Sequence, residues 1–166
     1  MSKAPIRRVT AIIVGLLLVG GLLSGCQVAH LPNTKIAATD ESRAIYKVVM
    51  AYQAAMETRD PDSLMSLVSL SYYENRGTTE TDKDDYGYDK LKEQVSQHLT
   101  VNVIAVRYQI LLTAIAVDGE SATADYEYRA QFKFVEGGQE GWSQRNDFNR
   151  IELTREDEGW KIIAGL

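Results

Sequence analysis

SATADYEYRAQFKFV, residues 121–135, alternates without a break between apolar and polar side chains. Ala122, Ala124, Tyr126, Tyr128, Ala130, Phe132 and Phe134 fall on one side, and Thr123, Asp125, Glu127, Arg129, Gln131 and Lys133 on the other. Successive side chains of a strand point to opposite faces, so a period of two predicts a strand with one buried and one wet face. The flanking segments continue the pattern. Val101 to Val117 is a long apolar run in which Ile104, Val106, Tyr108, Ile110, Leu112 and Ala114 share one face, and the pair Asp118-Gly119 turns it back. A glycine-rich turn, Glu136 to Gly141, leads to a third strand from Trp142 to Arg155. Its apolar phase changes between Phe148 and Ile151, which predicts a bulge near Asn149 and Arg150. Glu158-Gly159 then leads to a last strand through Trp160, Ile162 and Ala164.

Ahead of these strands the period is helical. Ala44, Ile45, Val48, Val49, Tyr52, Ala55 and Met56 recur at helical spacing behind Thr39, Asp40 and Glu41, a cap followed by first-turn acids. Arg59-Asp60-Pro61-Asp62 ends that helix and starts another, because proline suits a first helical turn and Asp60 can cap the free amides ahead of it. Leu64, Met65, Leu67 and Val68 form the apolar side of this second helix. An extended piece around Ser71 to Glu74, a polar loop from Asn75 to Tyr88 and a third helix through Leu91, Val95 and Leu99 complete the first half.

Helices followed by a four-stranded antiparallel meander make an α+β fold, with three N-terminal helices packed on one sheet face. Strands this long twist and curve. A long helix laid across the concave side of a curved sheet leaves a cone whose open end can hold a ligand. The other sheet face would permit a homodimer, although the polar side of residues 121–135 does not favour one.

Two segments carry a family resemblance: VVMAYQAAMETRDPDSLMSLVS, a helix, turn and second helix, and DFNRIELTREDEGWKII, a penultimate strand, turn and tryptophan-led last strand. With them, residues 40–166 resemble the nuclear transport factor 2-like superfamily, which includes ketosteroid isomerases and polyketide cyclases of the SnoaL kind. The isomerase resemblance implies roles for particular residues. In those enzymes a first-helix tyrosine and a protonated aspartic acid on a late strand stabilise an oxyanion while a second carboxylate shuttles the proton. Tyr52 matches the tyrosine and Asp147 the oxyanion-hole acid. The shuttling position falls on Arg76, which cannot act as a base at neutral pH. Glu74 would share its strand face if the short strand runs regularly. The alternative for Tyr52 is a core tyrosine, and for Asp147 a surface carboxylate.

Other chemistry is sparse. The sequence has no glycine-rich phosphate loop and no cysteine cluster, and no cofactor is expected. His98, near the end of the third helix, suits the helix dipole as an imidazolium and has no serine or carboxylate partner at local spacing. Arg107 interrupts an apolar strand and either lines the cone or faces solvent beside Gln109. DKDDYGYDKLKE, residues 82–93, places Asp82, Asp84, Gly87 and Glu93 where a calcium loop needs them. Tyr86 is a poor fifth ligand and Asp89 replaces the apolar eighth residue, so helix capping by Asp89, with Glu93 near the first turn, explains more of the stretch than a metal does.

The N-terminus indicates location. Lys3, Arg7 and Arg8 precede an apolar run from Val9 to Leu23, about the length of an export signal and shorter than the roughly twenty residues of a spanning helix. Leu23-Ser24-Gly25-Cys26 resembles the lipobox of bacterial lipoproteins, in which the cysteine thiol is acylated and the signal, here residues 1–25, is cut before it. An ordinary signal peptide with a chance cysteine is the alternative. Cys26 is the single cysteine of the chain, so the exported domain would hold neither disulfide nor stray thiol. Two or three acyl chains anchor stably where one does not. Residues 26–39 then read as the lipidated end and a tether, with 27–39 spanning at most about 45 Å, and His30 within it solvated. Gln27 resembles the pattern sorted to the outer membrane in Gram-negative cells. Cutting after Gly25 leaves 15 Lys and Arg against 23 Asp and Glu, a net charge of −8, which argues against nucleic acid as a partner.

Two classes of function follow. One is an envelope lipoprotein, facing the periplasm or the exterior, whose cone binds a partner protein or small apolar ligand without catalysis, lined by Tyr52, Tyr108, Tyr128 and Asp147. The other is an acid/base enzyme, isomerase- or cyclase-like, acting on a cyclic ketone through Tyr52 and Asp147.

Overall fold

The computed structural model describes residues 28–75, 85–136 and 138–166. The stretch read as an export signal, Cys26, Arg76, Asp82 and Asp84 lie outside the described residues.

The first helix, α1, runs Asp40–Thr58 and follows from its sequence at both ends. The Thr39 hydroxyl accepts from the Ser42 N–H at its start, and Ile45, Val49, Tyr52 and Ala55 bury one stripe. Arg59 ends it in the left-handed conformation, φ 53°, while its guanidinium donates to the Val103 carbonyl at 2.6 Å. Asp60 then caps α2, Pro61–Ser66, accepting from both the N–H and the hydroxyl of Ser63. These bonds favour the ionised carboxylate and hold its pKa below the usual range. Two short strands, β1 (Tyr73–Glu74) and β2 (Tyr86–Gly87), pair antiparallel and lead into α3, Tyr88–Gln97. Gly87 occupies the cap position of α3 without a side-chain bond, so Asp89 lies in the first turn rather than capping as expected. His98–Asn102 adds one wider π-type turn before the sheet.

Strands β3 (Val103–Asp118), β4 (Ser121–Glu136), β5 (Gln139–Glu156) and β6 (Gly159–Ala164) form an antiparallel sheet in sequence order. The helices followed by this curved sheet are the α+β arrangement expected. Two details differ. Register shifts between Val103 and Ala105 and between Leu112 and Ala114 break β3 into phases. Val103, Val106, Tyr108, Ile110, Leu112, Ile115 and Val117 therefore oppose the concave row of β4, and Ile104 and Ala114 do not join it. Conversely, β4 and β5 pair without a shift from Ser121↔Thr154 to Glu136↔Gln139, so no bulge lies at Asn149 and Arg150. The change of apolar phase arises because Phe148 points out from the convex face, 74% exposed.

Both sheet edges are partly covered. On β3, the Gln53 and Glu57 side chains accept from the Ile110 and Tyr108 N–H groups at 2.8 and 3.4 Å. Four helical residues rise about 6 Å and two strand residues about 6.8 Å, which lets one helix face satisfy successive outward amides. On β6, Ile162 exchanges bonds with Leu67 and Ser69, both 2.9 Å.

The stretch read as a tether folds back from Ala29. His30 pairs with Ala37, Ala38 N–H bonds to the Ala29 carbonyl at 2.7 Å, and the Thr34 hydroxyl bridges Leu31 and Ile36. Leu31 enters the core while His30 stays exposed. One apolar side chain in a polar stretch has no periodicity, and its burial depends on a surface made elsewhere.

Candidate functional site

The interior of the cone is built of tyrosines. Tyr52 arrives on the buried stripe of α1, Tyr108 on β3, and Tyr126 and Tyr128 two residues apart on the concave side of β4. Ala130 opposes Tyr108 in the ladder, and a small side chain there leaves that ring room. Tyr108 stacks on Tyr128 at 5.5 Å between centroids and meets Tyr52 edge-on at 5.7 Å. The Tyr52 and Tyr108 hydroxyls lie 3.3 Å apart, and the Tyr126 ring lies 6.2 Å from that of Tyr128 between centroids. Asn149 donates from Nδ2 to the Tyr126 hydroxyl at 3.1 Å and to the Gly165 carbonyl at 3.0 Å.

Burial is the main cause that raises the pKa of Tyr52, Tyr108 and Tyr126. It pushes Tyr52 well above the ordinary phenol range, with the Tyr126 and Tyr108 neighbours adding to the shift. Burial also raises Tyr108 and Tyr126, the latter partly offset by the bond from Asn149. At neutral pH the cluster is thus a set of uncharged donors and acceptors that largely satisfy one another. A proton-transfer site needs in addition a group that changes charge within reach.

Asp147 is not brought to that cluster. It opposes Tyr128 in the ladder and shares its face, but its carboxylate accepts from Arg145 at 3.3 Å and from the Phe148 N–H at 2.9 Å, half-exposed at the rim. Tyr52 and Tyr108 sit in the core, and Tyr128 is half-buried above them. Glu74 accepts from the Gly165 N–H at 2.8 Å, at the junction of β1 and β6. Arg107 lies on the convex side, its guanidinium 5.4 Å from the Trp142 ring centre and bonded to Gln131. His98 is exposed and meets Phe132 edge-on at 6.1 Å. Of the calcium-loop candidates, Glu93 pairs with Lys90 at 2.7 Å.

Tyr126 and Asn149 were not picked out from sequence. The available signal was register: an unshifted β4–β5 ladder sets Tyr126 opposite Asn149 on the inner face. Outside the cluster, a groove of about 450 Å³ opens between the Pro32–Thr34 loop, α1 and β3. Tyr46, Met50, Ile110 and Leu112 give it apolar walls, and Gln53 and Arg129 stand among its polar lining.

The pattern of the SnoaL-like domain matches residues 37–164. The chain belongs to the SnoaL-like domain family. Solved structures agree on the fold. A nuclear transport factor 2-like superfamily protein from Salmonella enterica is 16% identical with a TM-score of 0.60, over 74% of this chain and 86% of that one. A candidate dehydratase of the same family from Streptomyces avermitilis is 14% identical with a TM-score of 0.59, over 75% and 93%. A candidate scytalone dehydratase from Novosphingobium aromaticivorans is 15% identical with a TM-score of 0.58, over 75% and 80%. No protein of curated function matches the sequence. At such identities these neighbours show the fold alone, and a function has to be argued from the side chains of the cone.

Proposed function

We propose that this SnoaL-like domain is the binding part of an envelope lipoprotein, held to a membrane by acyl chains on Cys26, and that it performs no acid/base chemistry. One observation carries the second half of this reading. The Tyr52 and Tyr108 hydroxyls are engaged with each other and that of Tyr126 with Asn149, while Asp147 is turned to Arg145 at the rim. A cone filled in this way is a rigid floor. A small apolar ligand or a partner's side chain would rest in the groove lined by Tyr46, Met50, Ile110 and Leu112, whose volume lies in the range of small-molecule sites. The lipobox resemblance supports the anchor, and Gln27 supports the outer membrane where the host is Gram-negative.

The second reading, an isomerase- or cyclase-like enzyme acting on a cyclic ketone, draws on the candidate dehydratases of like fold and on the buried Tyr52 hydroxyl. One experiment separates the two. The full chain, purified in detergent, is exposed to a panel of keto-steroids and polycyclic ketones, with binding read by tryptophan and tyrosine fluorescence and turnover by absorbance. Saturable binding without turnover is expected. Turnover that disappears in both Tyr52→Phe and Asp147→Asn, with the thermal melt unchanged, would overturn the non-catalytic reading. In cells, a fatty-acid label should enter the chain and be lost in Cys26→Ser; labelling that persists in that variant removes the anchor.

A further inference from the structure

Ahead of β6, the edge of β5 is a run of sheet backbone that no strand covers among the described residues, and the ladder with β4 fixes which of its groups face outward. The Arg155 N–H bonds to the Glu120 carbonyl at 2.8 Å, on the β4 side. The β4–β5 register runs without a shift from there to the hairpin. Backbone groups alternate sides along an antiparallel strand, so odd-numbered residues of β5 serve β4 and even-numbered ones face away from it. At Thr154 and Glu156 the outward groups belong to the ladder with β6. At Arg150 the carbonyl oxygen is covered by Gly165, where even a Cβ would overlap it. Ahead of that point no strand among the described residues pairs with Gln144, Asn146 and Phe148; the Phe148 N–H is met only by the carboxylate of its neighbour Asp147, at 2.9 Å, and is freed when that carboxylate turns to an arginine across the edge.

Such an edge is a template for another strand, and its sequence indicates which one. Read antiparallel against itself about Asn146, QRNDF (144–148) is self-complementary. Arg145 of one copy faces Asp147 of the other, twice, and Gln144 faces Phe148. Moving the centre to Arg145 or to Asp147 would instead set two like charges directly opposite, which is unfavourable.

We propose that two copies of this chain join edge to edge through Gln144–Phe148, about a twofold axis at Asn146, into one continuous sheet. Asn146 and its symmetry mate form a hydrogen-bonded pair, and with the two Gln144–Phe148 pairs the seam holds roughly six backbone bonds. Arg145 and Asp147 occupy the non-bonded positions, where Cα atoms approach to about 4.5 Å and side chains are closest. Both are already exposed, at 68% and 50% of their side-chain surface, and each can exchange its partner within the chain for one across the seam with little desolvation. This dimer stands independently of the anchor and of the ligand.

The test uses the full chain with Asn146→Cys. A hydrogen-bonded antiparallel pair has Cα atoms about 5.5 Å apart, a spacing that suits a disulfide. Mild oxidation should therefore yield a covalent dimer on a non-reducing gel, absent from the wild-type chain, whose single cysteine is Cys26. In that background Arg145→Asp should cut the yield at least tenfold, and adding Asp147→Arg should restore it. All three positions are exposed, and a thermal melt verifies folding. No cross-link, or one indifferent to the charge reversal, overturns the proposal. So does a dimer that Asn146→Cys fails to trap but Phe148→Asp dissolves, since that side chain lies on the convex face and would report face-to-face packing.

Discussion

From Gln139 to Arg150 the residues of β5 are exposed apart from the half-buried Gly141, whereas Ile151 and Leu153, on the same strand, are wholly buried. Alternation of faces is the same in both halves, and β4 lies alongside both. The difference is what stands opposite. The second half has β6 at its edge, and Ile151 and Leu153 join α1 residues in one apolar cluster. In the first half the concave positions Arg145 and Asp147 look across a rim. A strand's period therefore tells which residues share a face, but burial belongs to the neighbour that the face meets.

The sharpest way to break this comparison is to truncate one residue in each half. Ile151→Ala should lower unfolding free energy by about 2–5 kcal/mol, the usual cost of a buried isoleucine. Phe148→Ala, although it removes a larger side chain, should change it by no more than about 0.5 kcal/mol. Urea unfolding measures both; equal costs would mean that the first half is covered as well. Next in size is Gly165→Ala, which probes the boundary between the halves. Gly165 has φ 95° and packs against the Arg150 carbonyl, so an alanine should cost about 1–3 kcal/mol. A neutral result would show that the close approach is easily relaxed.

A smaller effect at neutral pH than that of Gly165→Ala concerns the tyrosines lying against the buried half. Tyr108→Phe removes one bond of the hydroxyl cluster and should cost about 1 kcal/mol at pH 7. Its larger signature is alkaline. Burial raises the folded-state pKa of Tyr52, Tyr72, Tyr108 and Tyr126 above the unfolded value. Their contribution is fully present below about pH 10, where both states are protonated, and is lost as pH rises beyond it because only the unfolded chain ionises freely. The melting temperature should therefore hold steady from pH 7 to 9 and fall steeply above about 10. Tyr108→Phe should make that fall shallower; an unchanged slope would mean that this phenol ionises in the folded state.

Much of the architecture was legible before any coordinates. The Asp118-Gly119 and Glu158-Gly159 turns, the Thr39 and Asp60 caps and the alternation of residues 121–135 are local signals, each set by backbone conformation or by the chain's own period. Errors arose where a long-range contact overrode a local one. Leu31 offers no period, and β3 changes phase twice because its ladder with β4 slips, which nothing in the run Val101 to Val117 announces. The bulge expected in β5 came from treating Phe148 as an inward residue, when the convex face simply carries an exposed aromatic ring. For the site, Tyr52 and Tyr108 could be assigned to inward faces, and they meet. Asp147 shares the face of Tyr128 yet stands at the rim, because facing fixes a side and says nothing of depth. Arg107 could not be assigned to either side until the register with Gln131 set it beside Trp142.

By itself, then, the sequence determined the order of the elements, their turns and caps, the α+β class and the residue types available for chemistry, because these depend on contacts within a few residues. Only the tertiary structure decided that the phenols of Tyr52, Tyr108 and Tyr126 would converge, that Asp147 would be held by Arg145 away from them, and that half of β5 would keep an open edge. Those outcomes depend on which surfaces from distant parts of the chain cover one another, and on ladder shifts of a single residue that turn every side chain beyond them to the opposite face.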